Sequence, residues 1–116
     1  MFSTIGCASC HVPTMMTGPN SVAALSNKSV NLFSDLLLHN VGTGDGIEQG
    51  QANGNEFRTA PLWGLSRRDR FMHDGKSKSI EDAILRHGVD AQNAVKGVAE
   101  LRRSDYDALL SFLGSL

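Results

Sequence analysis

The chain has 116 residues, a formal net charge of −1 and 41% hydrophobic residues. A chain of this length is expected to form one domain over residues 1–116, and its near-neutral charge predicts no affinity for nucleic acid. No apolar run reaches the roughly 20 residues that a transmembrane segment needs. Only 6% of the residues are aromatic, which is a small stock for the hydrophobic core of so short a chain.

The first chemical motif is Cys7-Ala8-Ser9-Cys10-His11. Two thiols at this spacing can add to the two vinyl groups of a porphyrin, and the following imidazole can then bind the iron. The motif therefore predicts one covalent haem c attached to Cys7 and Cys10, with His11 as proximal ligand. A structural zinc site fits less well because it lacks a fourth ligand. A redox dithiol fits less well because no apolar strand precedes the motif.

Local patterns predict four segments in the first half of the chain. Two apolar residues three positions apart predict the end of a helix within residues 1–10. Turn-forming residues predict a loop over residues 12–28. The apolar run 30–41 predicts a short helix or an extended segment. The glycine-rich stretch 42–55 predicts a second loop, either against the haem edge, against a partner or as a mobile surface loop.

Helix signals dominate the second half. Thr59 as N-cap and Pro61 at an early position predict a short helix over residues 59–65, which a polar loop over 66–78 follows. The run that begins at Ser79 resembles a capping box, and it predicts a helix from Ile80 to His87.

Two further helices are predicted towards the end of the chain. A short one is expected over residues 90–97. A final helix is expected to begin at a second capping pattern, led by Ser104, and to carry one apolar stripe that packs on the N-terminal helix. The stripe consists of Tyr106, Leu109, Leu110 and Leu113.

The second axial ligand has several candidates: Met15, Met16, Met72, His39, His73 and His87. His87 is favoured because it shares the stripe of its helix with Ile80 and Ile84, so its imidazole is expected to be buried and to need a partner. Met72, in the preceding loop, is the main alternative. His39, His73 or water remain possible ligands, whereas Met15 and Met16 lie too close in sequence to His11.

Five stretches of the chain, taken in order, resemble the C-terminal haem domain of the bacterial di-haem cytochrome c peroxidase superfamily. Within it, they resemble the thiol oxidoreductase-like di-haem branch. The stretches cover residues 5–13, 33–42, 57–65, 72–75 and 81–88.

The resemblance implies an all-α, class I cytochrome c-like fold of four to five helices around one haem. It places the sixth ligand at His87, where the peroxidases carry a methionine. It also implies that His73 lies near the haem and that Arg58 contacts a propionate, although an exposed loop charge explains Arg58 equally well. The relatives bind calcium between two haem domains, but Arg68 and Arg70 replace small residues or proline there, so no calcium is predicted.

These observations favour electron transfer through one six-coordinate, bis-histidine haem iron bound by His11 and His87. The alternative is a haem domain or fragment of a di-haem peroxidase-type oxidoreductase, and a third hypothesis is a haem-based gas sensor or an assembly subunit. The relatives react with peroxide at their other haem, so this chain alone is expected to transfer electrons rather than to act as a peroxidase. The expected partner is a redox protein or a second haem domain. Haem c is attached outside the cytoplasm, which predicts a periplasmic or otherwise extracytoplasmic protein.

Overall fold

The computed structural model describes all residues from 1 to 116 and overturns the all-α prediction. Instead of four to five helices there are three α-helices, and even with the short 3-10 turns counted, helical residues make up only 29% of the chain. The rest includes two small antiparallel sheets, so the molecule is a small α/β domain. The elements in chain order are β1 Met15–Met16, β2 Ser29–Val30, β3 Leu38–His39, β4 Phe57–Arg58, α1 Ile80–Leu85, α2 Gln92–Ala99 and α3 Arg103–Leu113.

Three 3-10 turns complete the secondary structure, at Cys7–Ser9, Leu65–Arg67 and Val89–Ala91. Strands β1 and β2 pair with each other, as do β3 and β4. None of the three helices combines the length and the hydropathy that a membrane crossing requires.

The helix predicted within residues 1–10 is wrong. A single turn forms there, in which the N–H of Ile5 donates to the carbonyl of Met1 over 3.1 Å. Gly6 then adopts a φ of 96°, a left-handed conformation that ends the turn before the first 3-10 turn begins.

The apolar run 30–41 takes the extended form. Backbone N–H groups of Phe33, Ser34 and Asp35 donate to carbonyls of residues 10–13 over 2.7–3.3 Å. Phe33 and Leu36 have φ values of 53° and 60°, which a continuous helix does not allow. This segment therefore lies along the Cys7–His11 motif and fixes its position.

The helix predicted over residues 59–65 is also wrong, because its backbone donors find partners elsewhere in the chain. The N–H of Thr59 donates to the carbonyl of Leu37 over 3.0 Å, and that of Leu62 donates to Leu32 over 3.2 Å. The second 3-10 turn starts only after Gly64, whose φ is 72°.

The C-terminal helices agree better with the sequence. Helix α1 begins as predicted, with the Ser79 hydroxyl accepting from the N–H of Asp82 over 3.1 Å, but it ends at Leu85 rather than His87. Helix α2 covers nearly the predicted segment. Helix α3 begins at Arg103 without a side-chain cap, so the predicted capping role of Ser104 is wrong.

The hydrophobic core is small. Only nine of the 116 residues are buried, and the main buried cluster consists of Leu65, Val98, Leu109 and Leu113. Leu109 and Leu113 belong to the predicted stripe of α3. Phe112, also on α3, has its ring 5.4 Å from that of Phe2, measured between centroids. All four buried residues also border a cavity, which occupies the space where the core of a larger domain would lie.

Candidate functional site

A cavity of about 510 Å³ lies against the N-terminal turn, β4 and the three helices. Of the 33 residues that line it, 20 are hydrophobic, and both the volume and this composition are typical of a site for an organic ligand. Every site residue predicted from the sequence lines this one cavity: Cys7, Cys10, His11, Arg58, His73 and His87.

The two cysteines lie at either end of the first 3-10 turn. The N–H of His11 donates to the carbonyl of Cys7 over 3.0 Å, which closes the turn and turns all three side chains of the motif towards the cavity. Burial raises the pKa of both thiols, and the carboxylates of Asp35 and Asp90 raise that of Cys10 further. The two cysteines form no disulfide.

His11 is partly buried and held in one orientation by the extended segment. Its Nδ1–H donates to the carbonyl of Phe33 over 2.9 Å, which leaves Nε2 without a protein partner. Burial lowers the pKa of His11, against the opposing effect of the Phe33 carbonyl, and nearby His87 lowers it further. The ring is therefore neutral at pH 7, which is the form that binds metals.

His87 lies two residues beyond the end of α1, and the same kind of bond orients it. Its Nδ1–H donates to the carbonyl of Ala83 over 2.7 Å, in the last turn of α1, and the backbone N–H of Arg86 also donates to this carbonyl over 3.2 Å. Its Nε2 also has no protein partner. A histidine that donates its other ring N–H to a backbone carbonyl is the usual arrangement of a metal ligand.

The two imidazoles lie near each other in the lining of the cavity, with ring centroids 6.4 Å apart and planes inclined by 58°. A metal bound by imidazole nitrogens at about 2.0–2.1 Å, with about 1.1 Å more to each ring centre, separates opposing rings by about 6.3 Å. The observed spacing therefore fits one metal ion between the two histidines. Together with two thiols and an apolar wall, the residues present fit a haem.

The other predicted ligands are less well placed. Met72 is half-buried in the cavity wall. The ring of exposed His73 stacks on Phe57 at 3.6 Å between centroids, and its Nε2–H donates to the carbonyl of Thr43. Met15 and Met16 form β1, away from the cavity. Arg58 is exposed at the wall and forms no ion pair.

His39 has a partner of its own. Its Nε2–H donates to the Asp35 carboxylate over 2.8 Å, and the Cys10 thiol lies within 4.8 Å of both groups. Burial alone would raise the pKa of Asp35, but hydrogen bonds from Leu37 and His39 outweigh it and hold the pKa below its ordinary value.

Sequence reasoning missed an ion pair that supports the site. The Arg86 guanidinium donates to both carboxylate oxygens of Asp74, over 3.1 and 2.5 Å, and to the hydroxyl of fully buried Ser77 over 2.9 Å. These bonds hold the pKa of Asp74 well below its usual range. Arg86 precedes His87 and Asp74 follows His73, so the pair ties the loop to the end of α1. The only sequence signal is the adjacency of each partner to a histidine.

Comparison with known proteins gives one finding. A family model described as "di-haem oxidoreductase, putative peroxidase" matches residues 1–116, the whole chain. No curated protein and no solved structure matches it.

Proposed function

This chain belongs to the di-haem oxidoreductase family, and we propose that it is a haem domain of such an enzyme, acting as its electron-transfer half. The family shares haem binding, and the chain has one Cys-x-x-Cys-His motif. The proposal assigns one covalent haem c to this chain and the second haem of the family to another domain or partner protein. Since haem c is attached outside the cytoplasm, the proposed location is periplasmic or otherwise extracytoplasmic.

The observation that carries the proposal is the pairing of His11 and His87. Each ring has its Nδ1 engaged by a backbone carbonyl, and the 6.4 Å between their centroids leaves room for one metal ion. Both cysteines line the same cavity. In this assignment Cys7 and Cys10 would hold the porphyrin covalently, and the two histidines would bind its iron.

The bound haem would supply reversible one-electron transfer. The chain fixes the orientation of both ligands and surrounds them with a largely apolar wall. If both histidines hold the iron, peroxide would find no open position there, which favours electron transfer over peroxide turnover at this site. This role is compatible with the family description, because the second haem of a di-haem enzyme can carry the reaction with peroxide.

The test is expression in a host that attaches haem c, followed by intact mass and optical spectra. We expect one haem mass on the chain, none on a Cys7→Ser/Cys10→Ser variant, and a low-spin six-coordinate spectrum. His87→Ala is expected to give a high-spin, five-coordinate iron because it removes one axial ligand.

Met72→Ala is the matched control, since Met72 lines the same cavity and is the main alternative ligand. It should leave the spectrum low-spin. A chain without haem mass contradicts the proposal as a whole. A low-spin His87→Ala protein together with a changed Met72→Ala spectrum would assign the ligand to Met72 instead.

A further inference from the structure

The fixed charges on the cavity wall have one dominant sign. Three arginines line it, Arg58, Arg68 and Arg70, and the only carboxylate there is Asp90. The Asp90 carboxylate already accepts the N–H of Asn40 over 2.9 Å. None of the three arginines forms an ion pair with any acidic group of the chain. A largely apolar cavity thus carries an excess of unpaired positive charge.

Arg68 is held in place. Its Nη2 donates to the carbonyls of Pro61 and Trp63, each over 3.3 Å. These two bonds orient one side of the guanidinium and leave its remaining N–H groups free. A planar guanidinium fixed in this way suits a carboxylate, which it can bind with two parallel hydrogen bonds.

The three arginines come from parts of the chain other than the one that carries the thiols. Arg58 belongs to β4, and Arg68 and Arg70 belong to the loop that follows the second 3-10 turn. A porphyrin whose vinyl groups react with two cysteines carries its two propionates on the opposite edge. Two carboxylates of such a ligand need positive partners in the lining of the same cavity, and Arg58, Arg68 and Arg70 are the only residues there with a fixed positive charge.

We propose that Arg68 and Arg70, together with Arg58, bind the propionate carboxylates of the haem and set its charge balance. This inference rests on the proposed haem function and adds Arg68 and Arg70 as binding residues. The arginines compensate the two negative charges and favour reduction of the iron, because the oxidised iron carries the additional positive charge.

The first experiment measures the midpoint potential of the haem-loaded protein as a function of pH. We expect Arg68→Gln and Arg70→Gln each to lower the potential at pH 7. They should also raise the pKa of the propionate-linked step, because removing a cation disfavours the ionised carboxylate. Arg67→Gln is the control: Arg67 is exposed in the same loop but does not line the cavity. If the two cavity variants shift the potential no more than Arg67→Gln does, the proposal is wrong.

A second measurement does not depend on covalent attachment, so it also applies to variants that attach haem poorly. Iron mesoporphyrin lacks vinyl groups and cannot form thioethers, so its affinity for the haem-free chain can be compared with that of its dimethyl ester. We expect the free acid to bind about tenfold more tightly, a charge-assisted preference that Arg68→Gln/Arg70→Gln removes and Arg67→Gln retains. Equal binding of acid and ester by the unmodified chain contradicts the proposal. Failure of haem attachment in the first place would contradict the proposed function, and it is recognised separately by mass.

Discussion

Asp74 follows His73, and Arg86 precedes His87; these two residues form an ion pair beside the site. The Asp74–Arg86 pair makes two hydrogen bonds, its side chains are 16% and 27% exposed, and a third bond reaches buried Ser77. Because Arg86 directly precedes His87, any loosening of the pair changes the freedom of that imidazole. Asp74 is thus a positioning residue for the site.

The pH dependence of stability tests this pair. Hydrogen bonds from Arg86 lower the pKa of Asp74 in the folded protein. Its contribution to stability is therefore present above its unfolded pKa of about 3.9 and is lost as the pH falls further. We expect Asp74→Asn to lower the free energy of unfolding at pH 7 and to flatten its decline between pH 5 and pH 2, measured by urea unfolding.

Asp107→Asn provides the comparison, because Asp107 pairs with Arg103 on an exposed helix face with 51% of its side chain accessible. Exposed pairs of this kind contribute little. If the free energy of unfolding depends on pH in the same way for wild type and Asp74→Asn, the Asp74–Arg86 pair does not contribute to stability as proposed.

At the level of elements, α1 is the smallest of the three helices and the one that leads into His87. It has six residues, fewer than an isolated helix needs for stability, so its cap and its packing decide whether it forms. Ser79 supplies the cap, whereas Ser104, which the sequence presents in a similar pattern, caps nothing.

This difference gives a matched pair of substitutions. Ser79→Ala is expected to cost about 1 kcal/mol of stability, since it leaves the first turn of α1 without its acceptor. Ser104→Ala should change the free energy of unfolding little. Chemical denaturation of both variants measures the difference, and equal losses would contradict the assignment of the cap.

The sequence predicts those elements whose signals are local. The Cys7–His11 motif, the start of α1 and the apolar face of α3 each depend on residues within a few positions of one another. The prediction of a helix over residues 59–65 is wrong because backbone N–H groups there donate to carbonyls of residues 32 and 37, and no local pattern indicates that pairing. The Asp74–Arg86 pair could not be predicted for the same reason. His87 was found from a helical stripe, although the helix itself ends before it.

For the molecule as a whole, the small core and the large cavity belong together. Six buried hydrophobic residues give little stabilisation for a chain of this length, and the cavity borders all four members of the main cluster. A ligand attached to the chain would be buried and held by the histidines only in the folded state, which it would therefore stabilise.

We accordingly expect Cys7→Ala/Cys10→Ala chains prepared without haem to unfold at a lower urea concentration than the loaded protein, and less cooperatively. Far-UV circular dichroism during a urea titration follows the transition. A haem-free chain that unfolds at the same midpoint and with the same slope would mean that the core is sufficient by itself.

The two carbonyls that accept Nδ1–H also limit how far each imidazole can turn. These bonds select the tautomer of His11 and of His87 and leave Nε2 as the ring nitrogen available to a metal. If the proposed iron binds there, ligands anchored to the backbone in this manner would have little room to rearrange when the iron changes its oxidation state. A small reorganisation energy, and hence rapid exchange with a partner, would then follow from the fold itself.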